Sequence, residues 1–290
     1  MTPRDGETGM ILVNVLMFVA IAAGLVLLMI NREELALDRG LRMREAAVSL
    51  AAVRGGELSA VVALRRDART APDQDYPAEP WGALSENAAP IAGGTFDLAI
   101  ADAEGRFNVN ALRSGDAPSV ILFTKIAREI GLRDDQVDSA VQFVRLAGPI
   151  TDLRPLAALG LEPQALARIN RLMTALPGQT TINLNAADEE MLTFLFGDPL
   201  VAHRLVQIRK RQGFLTPRDL ADEHAAIPSG CSFHSTSFWV RTRATIGNTM
   251  QQEATLLRRR TNDDGSVDVV AIERWRNAAI PAEAPQFATR

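Results

Sequence analysis

The chain has 290 residues, more than a usual single domain, so two folded units are expected. Its 31 basic and 35 acidic residues nearly cancel, which gives no electrostatic reason to expect nucleic acid or an anionic membrane surface as a partner. The one cysteine, Cys231, excludes an intrachain disulfide, while 47% hydrophobic residues are ample for a core.

The start of the chain is its most distinctive stretch. A polar leader, MTPRDGETG, ends in the helix breaker Gly9, and residues 10–30 (MILVNVLMFVAIAAGLVLLMI) carry Asn14 as their only polar member. At about 1.5 Å per residue such a helix spans the roughly 30 Å of a bilayer core, so this segment reads as a transmembrane helix. The alternative is a secretory signal peptide. That needs a basic start, a shorter apolar run and a small-x-small site after it; here the leader balances Arg4 with Asp5 and Glu7, and NREELALD follows. Arg32, Arg39, Arg42 and Arg44 lie beyond the span and only Arg4 before it, so charge alone would keep the bulk of the chain cytoplasmic.

Residues 31–69 continue as helix. Leu35, Met43, Ala47, Leu50, Leu58, Val61 and Leu64 recur as an apolar stripe, with Gly40 and the Gly55-Gly56 pair as expected weak points. A straight helix over residues 10–69 would be about 90 Å long, and its stripe must lie on something. Residues 70–94, with Pro72, Pro77, Pro80 and Pro90, read as a long surface loop. In residues 95–112, Phe96, Leu98 and Ile100 alternate with polar or small residues, a turn falls at 102–105, and Phe107 and Val109 alternate again, which predicts a β-hairpin.

Residues 118–223 are punctuated as short helices. Asp116 caps one that begins with Pro118 and runs to Glu129; others cover 134–146, 153–159 and 163–175. Asp198-Pro199 opens a helix through Arg211, and Thr216-Pro217-Arg218-Asp219 opens the last. Within TTINLNAADEEMLTFLFGDPLVAHRLVQIRKRQGFLTPRDL, Asn185 is the expected cap of a helix starting near Ala186, with Ile182, Leu184, Met191, Leu192 and Leu195 facing a core. Strands are expected at 237–246, 250–260 and 267–276, with a tight turn at 261–265, and residues 278–290 read as a disordered tail.

Chemistry-bearing motifs are absent: the sequence has no Gly-rich phosphate loop, HExxH or CxxC. Cys231 lies three residues before His234 without a supporting acid, a poor nucleophile pattern. His203 reads as a surface or packing residue. The acidic runs 134–135, 188–190 and 263–264 lack the alternating ligand spacing of a calcium loop; helix N-termini and a turn account for them.

The leader ending in Gly9, with an apolar segment beginning at once, resembles the class III signal of type IV pilins and of the pseudopilins of type II secretion. DAEGRFNVNAL resembles the DxxGRFNLNxL segment of GspK-like minor pseudopilins, and the INLN string resembles helix-hairpin-helix modules of the form INLNTAxxEEL…GxFxxxxDL. The resemblance implies an α+β fold in which a pilin-like long N-terminal helix packs on an antiparallel sheet, with a large inserted all-α domain containing a helix-hairpin-helix-like segment. Its parts would be leader 1–9, transmembrane helix 10–30, periplasmic helix 31–69, body 70–112 and 236–277, insert 113–235, and tail 278–290. Prepilin peptidase would cut between Gly9 and Met10 and methylate Met10. Asn14 stands where major pilins carry a Glu that pairs with a neighbour's N-terminal ammonium, and lack of that Glu is typical of GspK.

Function, partners and location follow from the same resemblance. They are a structural subunit, not an enzyme, anchored by a single pass in the bacterial inner membrane with its bulk in the periplasm, against the charge rule above. It would cap the pseudopilus tip above GspI-like and GspJ-like partners. No cofactor is expected from the motifs, while the resemblance implies calcium as a possible ligand of oxygen-rich loops, since family members bind it. The rival reading is a membrane-anchored helix-hairpin-helix protein that binds DNA in a competence-type system. Arg204, Arg209, Lys210 and Arg211 favour it; Asp198 and Pro199, placed where a phosphate would meet backbone N–H groups, oppose it.

Overall fold

The computed structural model describes residues 5–287. Helix α1 (Asp5–Thr70) opens the chain, followed by a hairpin of β1 (Glu86–Ile91) and β2 (Gly94–Asp102). An insert comes next: β3 (Phe107–Asn108), α2 (Ala117–Glu129), α3 (Asp134–Ala147), α4 (Pro163–Leu172), β4 (Met173–Thr174) and β5 (Ile182–Asn183). It continues through α5 (Glu189–Phe196), α6 (Pro199–Gln212), α7 (Pro217–Asp222) and β6 (Cys231–Ser232). The chain then returns as β7 (Ser237–Ile246), β8 (Thr249–Thr261) and β9 (Val267–Arg276).

Five strands form one antiparallel sheet in the order β1-β2-β7-β8-β9, with the insert spliced between the neighbours β2 and β7. Ala60, Val61 and Leu64 of α1 pack on the inner sheet face, against Leu98, Ile100, Phe238, Val240, Leu257 and Val269. Because strand side chains alternate in direction, the outer face carries a separate cluster of Trp239, Ala254 and Leu256. The insert has its own, larger core, which includes Phe107, Val109, Leu112, Phe123, Ile126, Leu184, Met191 and Leu205.

Several expectations are corrected. The hairpin is β1–β2, not residues 95–112; β3 instead pairs in parallel with β4 inside the insert. ENAAPI was illegible as a strand because Ala and Pro are poor strand formers. Residues 70–94 are therefore no plain loop: they also bury Trp81, whose ring meets Phe238 edge-on at 5.2 Å. The core of the insert reaches back to Phe107, ahead of the expected start at 113, since Phe107, Val109 and Leu112 belong to it.

Helix α1 runs unbroken through Gly40 and Gly55-Gly56. Gly56 is a point of contact: a Cβ there would lie 2.6 Å from Phe96 Cζ and 2.8 Å from Thr242 Cγ2. The cap of α5 is Asp188, which accepts from Met191 N at 2.7 Å, and not Asn185. The tail is ordered through Phe287, with Glu283 and Ala284 buried; residues 288–290 lie outside the described residues. Ala and Pro made it look disordered, but apolar Ile280 and Ala284 have the outer sheet cluster to cover.

Candidate functional site: anchor helix, insert and their junction

Gly9 and Met10 lie in the first turns of α1, whereas leader residues 1–4 fall outside the described residues. Asn14 is exposed, and so is every large apolar side chain from Leu12 to Ile30. A core helix would bury such residues; this one is long and apolar enough to cross a membrane, and among the described residues nothing covers its side chains from Leu12 to Ile30. Further along, the same helix is clad by the sheet through polar as well as apolar contacts. Buried Glu57 takes a forked pair of hydrogen bonds from Arg274 Nη2 (2.7 Å) and Nε (2.8 Å) and a third from Thr255 Oγ1 (2.8 Å). Glu253, also buried, pairs with Arg276 at 2.7 Å and Arg54 at 3.4 Å.

The two Asn-x-Asn strings hold the insert together by one repeated device. In each, the first Asn Oδ1 accepts from the backbone N of the second, Asn108 from Asn110 at 3.1 Å and Asn183 from Asn185 at 2.9 Å. The second Asn then brackets one distant residue at both its backbone groups. Asn110 donates to Ile150 O (2.8 Å) and accepts from Ile150 N (3.0 Å); Asn185 donates to Leu215 O (3.3 Å) and accepts from Leu215 N (2.6 Å). Each bracketed residue lies beyond a helix pair, α2–α3 or α5–α6, so the insert contains one arrangement twice: Asn-x-Asn, two helices, bracketed return. All four Asn are buried and satisfied, as buried amides must be. Asn185 was assigned a cap because a capping side chain and a bracketing one look alike in sequence.

Of the features weighed for DNA, the N-terminus of α6 and two of its four basic side chains, Arg204 and Arg209, are otherwise engaged. Asp198 Oδ1 accepts from Leu200 N (2.8 Å) and Val201 N (3.4 Å), so the N–H groups a phosphate would need already face a carboxylate. Arg209 turns inward to the carbonyls of Leu184, Asn185 and Ala187 at 2.7–3.1 Å, and Arg204 pairs with Glu223. His203 is exposed, 2.9 Å from Glu189. Burial pushes the Cys231 thiol up to about 12, which keeps it protonated and inert.

The acidic runs are likewise spoken for: Asp134 by Arg128, Asp135 by Arg133, Asp188 by its helix cap, Glu190 by Arg168 and Arg171, and Asp264 by Ser266. A different group escaped the sequence. Asp67, Asp75 and Glu79, all buried, bring carboxylate oxygens within 4.8 Å of one another where α1 ends beside the insert. Arg259 binds Asp67 at 2.5 Å and Asp75 at 2.6 Å, and Glu79 accepts from Trp81 Nε1 at 2.8 Å. This set does not fit calcium, which takes six to eight oxygens, because a guanidinium already occupies the space between two of the three carboxylates. Burial, above all, raises Asp67 to about 6 and Glu79 to about 7. Asn183 ties the node to the insert, donating to Asp75 O (2.9 Å), Asp102 Oδ2 (2.8 Å) and Ser235 Oγ (3.0 Å).

No family model matches the chain. It is 25% identical to type II secretion system protein K of Pseudomonas aeruginosa, over 92% of this chain and 93% of that protein. In fold it is similar to a chain of the crystal structure of the GspK-GspI-GspJ complex from the type 2 secretion system of enterotoxigenic Escherichia coli. That match has a TM-score of 0.62 and 16% identity, and covers 82% of this chain and 99% of that one. A pilin-like fold, a long apolar N-terminal helix and similarity along nearly its whole length together support homology of this chain to type II secretion system protein K.

Proposed function

We propose that the chain is a structural minor pseudopilin of type II secretion. Residues 10–30 anchor it by a single pass in the bacterial inner membrane, and the sheet and insert stand in the periplasm. It caps the tip of the pseudopilus above GspI-like and GspJ-like partners and supports export of proteins across the outer membrane. The observation that carries this reading is α1 itself, bare and apolar at its start and clad by a sheet at its end. The bare part suits packing among neighbouring anchors, and the bulky insert leaves no room for a further subunit above. The solved complex named above, which holds GspK with GspI and GspJ, supports the choice of partners.

In this reading prepilin peptidase cuts between Gly9 and Met10 and methylates Met10, and Asn14 suits an end subunit that pairs with no ammonium above it. Mass spectrometry of the mature N-terminus tests the reading directly. Methylated Met10 is expected from the native chain and the uncut leader from Gly9→Val. Normal processing of Gly9→Val would falsify the cleavage assignment.

A further inference from the structure

The C-terminal segment reaches both folded parts of the molecule. Glu283, buried, accepts from Leu153 N of the insert through Oε1 at 2.8 Å, and its backbone carbonyl accepts from Arg106 Nη1 at 3.1 Å. The same Arg106 nitrogen donates to Asn170 O at the end of α4, at 3.2 Å. Ala284 lies in the cluster that joins Leu176 of the insert to Trp239 and Leu256 on the outer sheet face. On the sheet side, Arg241 Nη1 donates to Pro285 O and to Gln286 Oε1, both at 3.2 Å. The Phe287 ring lies under the Arg241 and Arg243 guanidinium groups, 4.9 and 4.5 Å from its centroid.

We propose that residues 280–287 are a clasp that fixes the orientation of the helical insert on the sheet, and that opening this clasp lets the insert swing while both parts stay folded. Each part has a core of its own, so neither depends on the clasp for its fold. The clasp itself is a short segment with one turn, in which Ala284 N donates to Pro281 O at 3.2 Å; it buries Pro281, Glu283 and Ala284 and ends in one ring against two half-buried arginines. Such short, polar-anchored segments open at the low end of a molecule's stability range. The Glu283 carboxylate is the pin, because it satisfies the Leu153 N–H from outside the insert.

Distances between two spin labels test the clasp in the full chain, held in detergent micelles with Cys231→Ser. Leu146, 85% exposed on the insert, and Met250, 50% exposed on the sheet, are replaced by labelled cysteines. The native chain should give one narrow distance distribution. Deletion of residues 280–290 should broaden it at least twofold while the helical circular dichroism stays the same. Glu283→Ala should broaden it partly, and Glu283→Gln, which keeps the acceptor, should leave it narrow. A narrow distribution in both the deletion and Glu283→Ala would overturn the clasp. So would loss of the insert's helical signal in Glu283→Ala, because the segment would then be part of the insert's own core.

Discussion

Asn185 and Asn110 each replace a missing strand, offering one amide to both backbone groups of a distant residue. Removing the amide leaves a buried N–H and C=O unpaired, at about 1–3 kcal/mol for such groups. Asn185→Ala should therefore lower the urea midpoint of the insert, with a loss of that order, whereas Asn185→Ala at an ordinary cap would cost nearer 1 kcal/mol. The sequence made both motifs conspicuous and hid their purpose, since the partners Ile150 and Leu215 lie far along the chain. Gly56 was misread in the opposite sense, as a weakness and not a contact. Its missing side chain lets Phe96 and Thr242 reach the helix backbone. Gly56→Leu should improve helix propensity yet lower the free energy of unfolding by the roughly 1–3 kcal/mol typical of overpacking, read as a lower melting temperature.

Between α1 and its surroundings lie two carboxylate groups with opposite pH behaviour. For Glu57, burial alone would raise the carboxyl, but hydrogen bonds from Arg274 and Thr255 bring it below the usual range. Its contribution is present at neutral pH and is lost as pH falls through the folded value. Asp67 and Glu79 are raised, to about 6 and about 7, so they favour the folded chain when protonated. Their contribution is full below the ordinary carboxylate range and fades as pH rises through 6 to 7. Melting temperatures from pH 4 to 8 should show this: Glu57→Gln flattens the acid limb, and Glu79→Gln flattens the neutral one. A neutral limb unchanged in Glu79→Gln would mean that the node does not titrate there. The seam was half legible. The stripe of Val61 and Leu64 foretold a helix that lies on something, but nothing local marks Glu57, Asp67 and Asp75 as buried, because their partners Arg274 and Arg259 come from strands late in the chain.

For the whole molecule, most of what was readable joins neighbours in sequence. The caps at Asp116, Asp198 and Thr216, the β7–β8–β9 meander and the long apolar helix at the start were all readable. What escaped was the first strand, hidden by its Ala and Pro although it pairs with the strand next to it, and the start of the insert and the ordered tail, which are held by contacts between residues far apart across the insert. That splice has a kinetic consequence. The longest ladder closed across it, from Asp102 opposite Phe238 to Gly94 opposite Ile246, joins strands separated by the whole insert. Loop-closure entropy delays such non-local pairing. An insert that folds first, with its ends drawn together at Asn183, Asp102 and Ser235, turns that distant pairing into a local one. The two asparagine brackets thus set the refolding rate of a sheet they never touch: the Asn185→Ala chain should form its sheet more slowly in stopped-flow refolding, although β7 and β2 are unaltered.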